Sequence, residues 1–290
     1  ADGSASVDAE LRGVLSGAGA SGLQKLGNGT LALTANNTYA GATQVNAGTL
    51  KIGNGGATGT LGSGNVTIAS GATLAFDRNN AYTATQAISG TGTLAQRGSG
   101  TTTLTGADAV GTIEVTGGTL DVDNSLHGDT LRMGAATLNV DGVVQSNIGG
   151  AIALVDVGGT DSVLRVNSGG TLRASGTLGD GNDTVASAGV LDVAGGGLDL
   201  GAGTDAVTVS GTLLGSGNLA FGSGDDTLTL DDGANIAGFT GVFDGGAHST
   251  GDTLRLNDSG PLTLGAGQVV NFEALVKDNT GVATLQGTNA

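Results

Sequence analysis

A glycine-rich unit that recurs along the chain is the feature that most constrains its fold. The first copy spans residues 19–52, where two short runs, residues 30–34 and 49–52, alternate apolar and polar side chains. Alternation of this kind predicts half-buried β-strands, and neither run has helical spacing. A unit this small cannot bury its leucine face alone. Further copies must therefore stack above and below it.

A second copy lies at residues 94–122. The matching positions are Leu23, Gly27, Gly29, Leu33, Val45, Gly48, Leu50 and Ile52 in the first copy and Leu94, Gly98, Gly100, Leu104, Val115, Gly118, Leu120 and Val122 in the second. Self-similarity at a nearly fixed offset is the sequence signature of a solenoid. A solenoid is one elongated array in which each repeat contacts only its neighbours.

The composition agrees with an all-β solenoid that has a narrow aliphatic interior. The 290 residues include 58 glycines, seven aromatic residues, one proline and no cysteine. Glycine suits tight corners, whereas proline would remove donors from the strand ladders. Because strands joined this way return in the same direction, and because crossovers are right-handed, we predict a right-handed, single-stranded parallel β-helix.

A set of regularly spaced aspartates gives the length of one turn, or rung, of this coil. The set consists of Asp161, Asp183, Asp205, Asp226 and Asp252. Its spacing predicts about 20–22 residues per rung, with one longer loop in the last interval, around positions 233 to 249. Two explanations remain open for this aspartate ladder. Either it binds calcium between rungs, or each aspartate accepts backbone N–H bonds at its own corner.

The net charge of −16 excludes some classes of partner. Twenty of the 26 acidic residues lie from Asp121 onward. Such a surface repels phosphate backbones and anionic lipids, so we expect neither nucleic acid nor a membrane surface as a partner. The chain has no run of eighteen apolar residues, so we also expect no membrane-spanning helix in it.

Motifs that would indicate an enzyme are weak. The GxGxxG match at residues 17–22 is followed by Leu-Gln-Lys-Leu-Gly, which does not continue as a helix. His127 and His248 each have a serine and an aspartate nearby in sequence, but triads are built from distant segments. The adjacent carboxylates Asp225–Asp226 and Asp231–Asp232 leave a polysaccharide-acting enzyme open as an alternative. We assign no catalytic, cofactor-binding or metal-binding residue and expect no cofactor.

Residues 19–52 resemble the passenger-associated repeat of bacterial autotransporters. The resemblance rests on the order Leu-x-Lys-x-Gly-x-Gly-Thr-Leu-x-Leu, then Asn-x-Tyr-x-Gly-x-Thr-x-Val-x-x-Gly-Thr-Leu; the second copy lacks the Lys and the Tyr. It implies a β-helical passenger displayed at the surface of a Gram-negative bacterium or secreted. It also implies a C-terminal β-barrel translocator in the full chain, which this sequence does not include.

We therefore expect a non-enzymatic surface protein that acts in adhesion or self-association, with a host-cell surface or another copy of itself as partner. A calcium-stabilised secreted repeat protein is the other alternative. Residues 1–18 are expected to be a polar lead-in and residues 19–250 the β-helical stalk. Residues 251–290 are expected to form terminal rungs that assist folding by templating the neighbouring rung.

Overall fold

The architecture consists of β-strands joined by tight corners. A computed structural model describes residues 5–17 and 19–287, and within these ranges every regular element is a strand. No helix in this part of the chain is long and apolar enough to cross a membrane. The chain divides into two compact units, the first up to Arg132 with Ala136–Leu138 and the second Met133–Ala135 with Asn139 onward.

The first unit is a stack of short strands that repeat in two or three positions per rung. These strands are β1 (Ala9–Leu11), β2 (Leu23–Lys25), β3 (Thr30–Leu33), β4 (Thr43–Val45), β5 (Thr49–Gly56), β6 (Val66–Ile68), β7 (Thr73–Arg78), β8 (Tyr82–Ala84), β9 (Ile88–Gly90), β10 (Thr93–Gln96), β11 (Thr101–Leu104), β12 (Ala107–Val115) and β13 (Thr119–Val122). Two strands, β14 (Ser125–Met133) and β15 (Thr137–Val140), follow where the chain passes from one unit to the other.

Parallel pairing in the first unit places equivalent residues of successive rungs side by side. One column of partners is Leu31, Leu50, Leu74, Leu94 and Ile113. The intervals along this column are less regular than the sequence predicted, because individual corners differ in length. The two glycine-rich copies are not separated by complete turns of the coil. Leu94 lies in this column, whereas its counterpart Leu23 pairs with Thr43 in a different column.

The second unit has the same plan. Its strands are β16 (Val143–Gln145), β17 (Ile152–Asp156), β18 (Val163–Val166), β19 (Thr171–Thr177), β20 (Thr184–Ser187), β21 (Val190–Asp199), β22 (Ala206–Val209), β23 (Thr212–Gly215), β24 (Leu219–Ala220), β25 (Thr227–Leu230), β26 (Asn235–Phe239), β27 (Phe243–Asp244), β28 (Thr253–Leu256), β29 (Leu262–Leu264), β30 (Val269–Val270), β31 (Ala274–Lys277) and β32 (Ala283–Leu285).

The strands β18, β20, β22, β25, β28 and β31 form one parallel ladder in the second unit. Thr184, Ala206, Thr227 and Thr253 are successive partners in it. The rung between Thr227 and Thr253 is the longest of these, and it is the one that the sequence predicted to carry a longer loop. Every other side chain points inward, which is why Leu and Val columns fill the interior.

The predicted fold class, an all-β parallel β-solenoid, is therefore confirmed within each unit. The right-handed sense of the coil stays a prediction, as do the boundary at residue 250 and the folding role of residues 251–290.

Candidate functional site

A column of mostly buried side chains links successive rungs along one corner of the second unit. Each carboxylate accepts the backbone N–H of the equivalent residue one rung earlier. The bonds run from Ser162 N to Asp183 Oδ1 (2.6 Å), Asp183 N to Asp205 Oδ1 (2.7 Å), Asp205 N to Asp226 Oδ1 (2.7 Å), Asp226 N to Asp252 Oδ1 (2.8 Å) and Asp252 N to Glu273 Oε2 (2.8 Å). We call these six residues the acid column.

The structure corrects one member of the predicted ladder. Val163 pairs with Thr184, so the preceding residues Ser162 and Asp183 are equivalent, and this rung is one residue shorter than predicted. Asp161 is exposed and lies outside the column. Its Oδ1 accepts the Asn182 amide N–H at 2.8 Å, and Asn182 Oδ1 in turn accepts the Thr204 amide N–H at 2.8 Å. The carboxylates of the column accept N–H groups from the neighbouring rung. One of the two explanations drawn from the sequence placed these hydrogen bonds within the corner of each aspartate instead.

The second carboxylate oxygen in this column has no hydrogen-bond partner among the described residues. This holds for Oδ2 of Asp183, Asp205, Asp226 and Asp252. All four residues are at most 1% exposed. Burial raises the pKa of Asp183 and of Asp226 to about 7 and the pKa of Asp205 to about 6. Burial removes solvent from the charged form, so the neutral acid is favoured below about pH 6.

Asp225 lies next to Asp226 in sequence but in an opposite environment. Its Oδ1 accepts the backbone N–H groups of Thr250 and Gly251, at 2.6 and 3.1 Å, and Oδ2 accepts the Ser249 hydroxyl at 2.7 Å. These donors hold the pKa of Asp225 well below its usual range, and the Thr250 amide makes the largest contribution. Asp225 therefore anchors the loop that follows β27.

The residues that were candidates for catalysis have structural partners instead. Asp226 is closed to solvent, so it cannot reach a glycan. Asp231 Oδ1 accepts a hydrogen bond from Asn257 Nδ2 at 2.7 Å, and Asp232 Oδ1 accepts one from the Ser259 amide at 3.1 Å. Both bonds connect neighbouring rungs. These contacts remove the support for a glycosidase on the paired carboxylates.

In the set around His248, the histidine and the serine bond to different carboxylates. His248 Nδ1 lies 3.1 Å from Glu273 Oε2, while the Ser249 hydroxyl is bonded to Asp225. Ser125, His127 and Asp129 alternate along a single strand, β14, where residues two apart are separated by about 6.6 Å. The GxGxxG match includes Ala18, which lies outside the described residues.

The lysine of the first glycine-rich copy caps a corner of the coil. Lys25 is 3% exposed, and its Nζ donates to the carbonyl oxygens of Gly27 (2.7 Å) and Ala47 (2.8 Å). Burial lowers the pKa of Lys25. In the second copy the equivalent residue is Gln96, whose Nε2 donates to Gly98 O at 2.8 Å. Both copies therefore place a long polar donor at the equivalent carbonyl of the repeat, that of Gly27 or Gly98.

Replacing this donor tests the explanation. We expect Lys25→Met to lower the free energy of unfolding by about 2 kcal/mol, because corner carbonyls lose a charged donor. Lys25→Gln should lose less than about 1 kcal/mol, since glutamine already occupies this position in the second copy. Urea unfolding monitored by circular dichroism measures both. Equal losses for Met and Gln would show that the hydrogen bonds are unimportant.

Each glycine-rich copy in the first unit has one aspartate or asparagine that bonds to a backbone N–H of the preceding rung, as the acid column does. Asn37 Oδ1 accepts the Leu15 amide at 2.9 Å, and Asp108 Oδ1 accepts the Ile88 amide at 2.7 Å. Burial raises the pKa of Asp108 to about 6. The side-chain bond across one rung is thus a general device of this coil, which the second unit repeats on consecutive rungs.

The glycine-rich copies are also recognisable by comparison with known proteins. Residues 23–52 and 94–122 match the family model of the passenger-associated transport repeat. Two segments of the chain are therefore similar to this repeat. It is similar to the Adhesin BmaC autotransporter of Brucella suis biovar 1 (strain 1330), with 34% identity over 181 residues. That alignment covers 57% of this chain and 5% of the adhesin. No solved structure matches the chain.

These matches confirm the predicted resemblance and the predicted location at the cell surface or in the extracellular medium. They support an adhesin-like passenger role. The chain spans only a twentieth of the adhesin's length, since the alignment covers 5% of it.

Two members of the acid column escaped the sequence analysis. Ser162 was missed because Asp161 precedes it and fits the expected interval almost as well. Glu273 was missed because it is not an aspartate, although it precedes Ala274-Leu275 as Asp252 precedes Thr253-Leu254. Glu273 could have been found by searching for any acidic residue, and not only aspartate, directly before a strand of alternating residues.

Proposed function

We propose that this chain is a non-enzymatic passenger segment that presents a β-helical face outside the cell for adhesion or self-association. The observation that carries the proposal is the outward face of the ladder β18–β20–β22–β25–β28–β31. Its outward residues in one row are small and uncharged. They are Val163, Thr184, Ala206, Thr227, Thr253 and Ala274.

The central residues of a second row on this face are also small and uncharged. Ala186, Thr208 and Thr229 are half-buried, and the exposed Arg165 and Arg255 lie at the two sides. In-register parallel strands keep the rows flat. Threonine is stiff at χ1, so it loses little freedom when a partner covers it. An uncharged flat patch on a chain of net charge −16 is suited to contact with another surface.

The similarity to the Brucella protein supports the same role, because that protein is an adhesin. We extend that role to this chain, in which one face serves for adhesion to host cells and for contact between copies.

Surface display of the whole chain tests the proposal. Cells that display it should adhere to host cells or to one another more than cells with an empty display vector. The double variant Thr184→Lys, Thr229→Lys should reduce that adhesion about tenfold or more, since a penalty of about 1.4 kcal/mol suffices for a factor of ten.

A charge-matched control uses Ala153→Lys and Ala237→Lys, two exposed positions away from this face. This control should adhere like the wild type. The proposal fails if the displayed wild type adheres no better than the empty vector. If both double variants lose adhesion equally, the face is wrong.

A further inference from the structure

The long rung brings a histidine next to the end of the acid column. The extra length between Thr227 and Thr253 forms a loop before Asp252. Ala247 is anchored by a bridge to Ser223, and Asp225 accepts the amides of Ser249, Thr250 and Gly251. His248 lies between these anchors. Its backbone is therefore held in place from both sides.

Three potential ligands meet at this point. One ligand atom from each of His248, Asp252 and Glu273 lies within 4.8 Å of the other two. His248 Nδ1 and Glu273 Oε2 are already 3.1 Å apart. The residues come from two successive rungs, since Asp252 and Glu273 are neighbours in the acid column.

An independent observation points to a ligand for Asp252. This residue is fully buried, its Oδ1 accepts the Asp226 amide, and its Oδ2 has no hydrogen-bond partner among the described residues. A Cβ at Gly245 would lie 2.9 Å from that oxygen, so glycine keeps this side of it open. A buried carboxylate oxygen with no donor is costly unless a proton or a cation satisfies it.

We propose that His248, Asp252 and Glu273 form a binding site for a divalent cation of the zinc class, which clamps two successive rungs together. One imidazole and two carboxylates are a ligand set that zinc accepts, with a fourth position left for water. Tetrahedral zinc with bonds of about 2.0–2.2 Å needs donors about 3.3–3.6 Å apart. The half-exposed side chains of His248 and Glu273 can rotate by the small amount required.

The imidazole is what separates this site from a calcium site. Calcium takes six to eight oxygen ligands, whereas imidazole suits zinc and its neighbours in the first transition row. The column contains no imidazole, so its other aspartates, Asp183, Asp205 and Asp226, offer only oxygen ligands. The proposal therefore places the cation at the last step of the column and not along its length.

Isothermal titration of the whole chain with zinc chloride tests the site. We expect one zinc per chain and a thermal unfolding midpoint that rises with zinc concentration, because a ligand that binds only the folded state stabilises it. His248→Ala, Asp252→Asn and Glu273→Gln should each weaken zinc binding by at least about 10-fold and up to about 100-fold. Asp252→Asn and Glu273→Gln keep an oxygen for the column's amide bonds.

The chain supplies its own matched control, because His127 is the other histidine. His127→Ala should bind zinc like the wild type. In chelator all four variants should give the wild-type circular dichroism spectrum, which separates lost binding from lost folding. The proposal is overturned if zinc does not bind by millimolar concentration, if His248→Ala binds as tightly as wild type, or if calcium binds this site as tightly as zinc.

Discussion

Gly201→Ala should cost the second unit more than about 4 kcal/mol of unfolding free energy, the largest effect we expect from a single methyl group. Gly201 has a φ of 101°, and an added Cβ would lie closer than 3.0 Å to the carbonyl oxygen of Gly179. That oxygen already accepts the Ala202 amide at 3.1 Å. The methyl group must therefore push two rungs apart and break a bond between them.

A matched glycine separates this close approach from backbone strain. Gly169 has a φ of 93°, and nothing lies within 4 Å of the position of its Cβ. Gly169→Ala incurs only the strain of the left-handed backbone, about 1–2 kcal/mol. Gly195→Ala should change little, since its nearest neighbour is Ser216 Oγ at 3.9 Å.

Urea unfolding monitored by far-ultraviolet circular dichroism should rank the three variants in that order. If Gly201→Ala and Gly169→Ala lose the same stability, then φ strain alone explains the glycine content. If Gly201 is instead the more sensitive position, glycine is required at these corners because rungs of the coil touch backbone to backbone.

The parallel register explains why so much of the fold could be predicted from sequence. Residues one rung apart are neighbours, so columns such as Leu50 with Leu74 and Leu228 with Leu254 repeat residue types at similar intervals. Alternation then assigns each residue to the inside or the outside. The same logic predicted the long rung, because Asp226 and Asp252 both precede an alternating strand.

The details of the site depend on single-residue shifts that spacing cannot resolve. Corners of this coil absorb one residue more or less, so Asp161 and Ser162 fit the interval to Asp183 about equally well. The approach of His248 to Glu273 depends on how the long loop is anchored by Asp225, which no periodicity reveals. Burial of the second carboxylate oxygens likewise follows from packing, not from composition.

Stability of the second unit should fall as the pH rises from about 4 to about 7. The folded-state pKa is about 7 for Asp183 and about 6 for Asp205, against an ordinary value of 3.8. Between these values the folded chain retains protons that the unfolded chain has released. Unfolding free energy therefore decreases through this window and levels off above it.

The charged neighbours of Asp183 reinforce this direction, because Asp156, Asp161 and Asp205 are all acids and raise its pKa further after burial. The double variant Asp183→Asn, Asp205→Asn removes two of the titrating groups of the column, leaving Asp226, but keeps an oxygen for the Ser162 and Asp183 amides. Its stability should depend less steeply on pH, by the equivalent of about one to two protons. At pH 8 it should be at least as stable as the wild type, because no charge remains buried at these two positions.

Alanine provides the contrast that makes the result interpretable. Asp183→Ala leaves the buried Ser162 amide without its acceptor, so it should be about 1–3 kcal/mol less stable than Asp183→Asn at every pH. Urea unfolding at pH 5 and pH 8, in chelator to keep metal ions out, measures all of these variants. A double asparagine variant with the wild-type pH slope would show that the column is ionised throughout. In that case the carboxylates would stabilise the rungs as charged hydrogen-bond acceptors, and acid would weaken the coil rather than strengthen it.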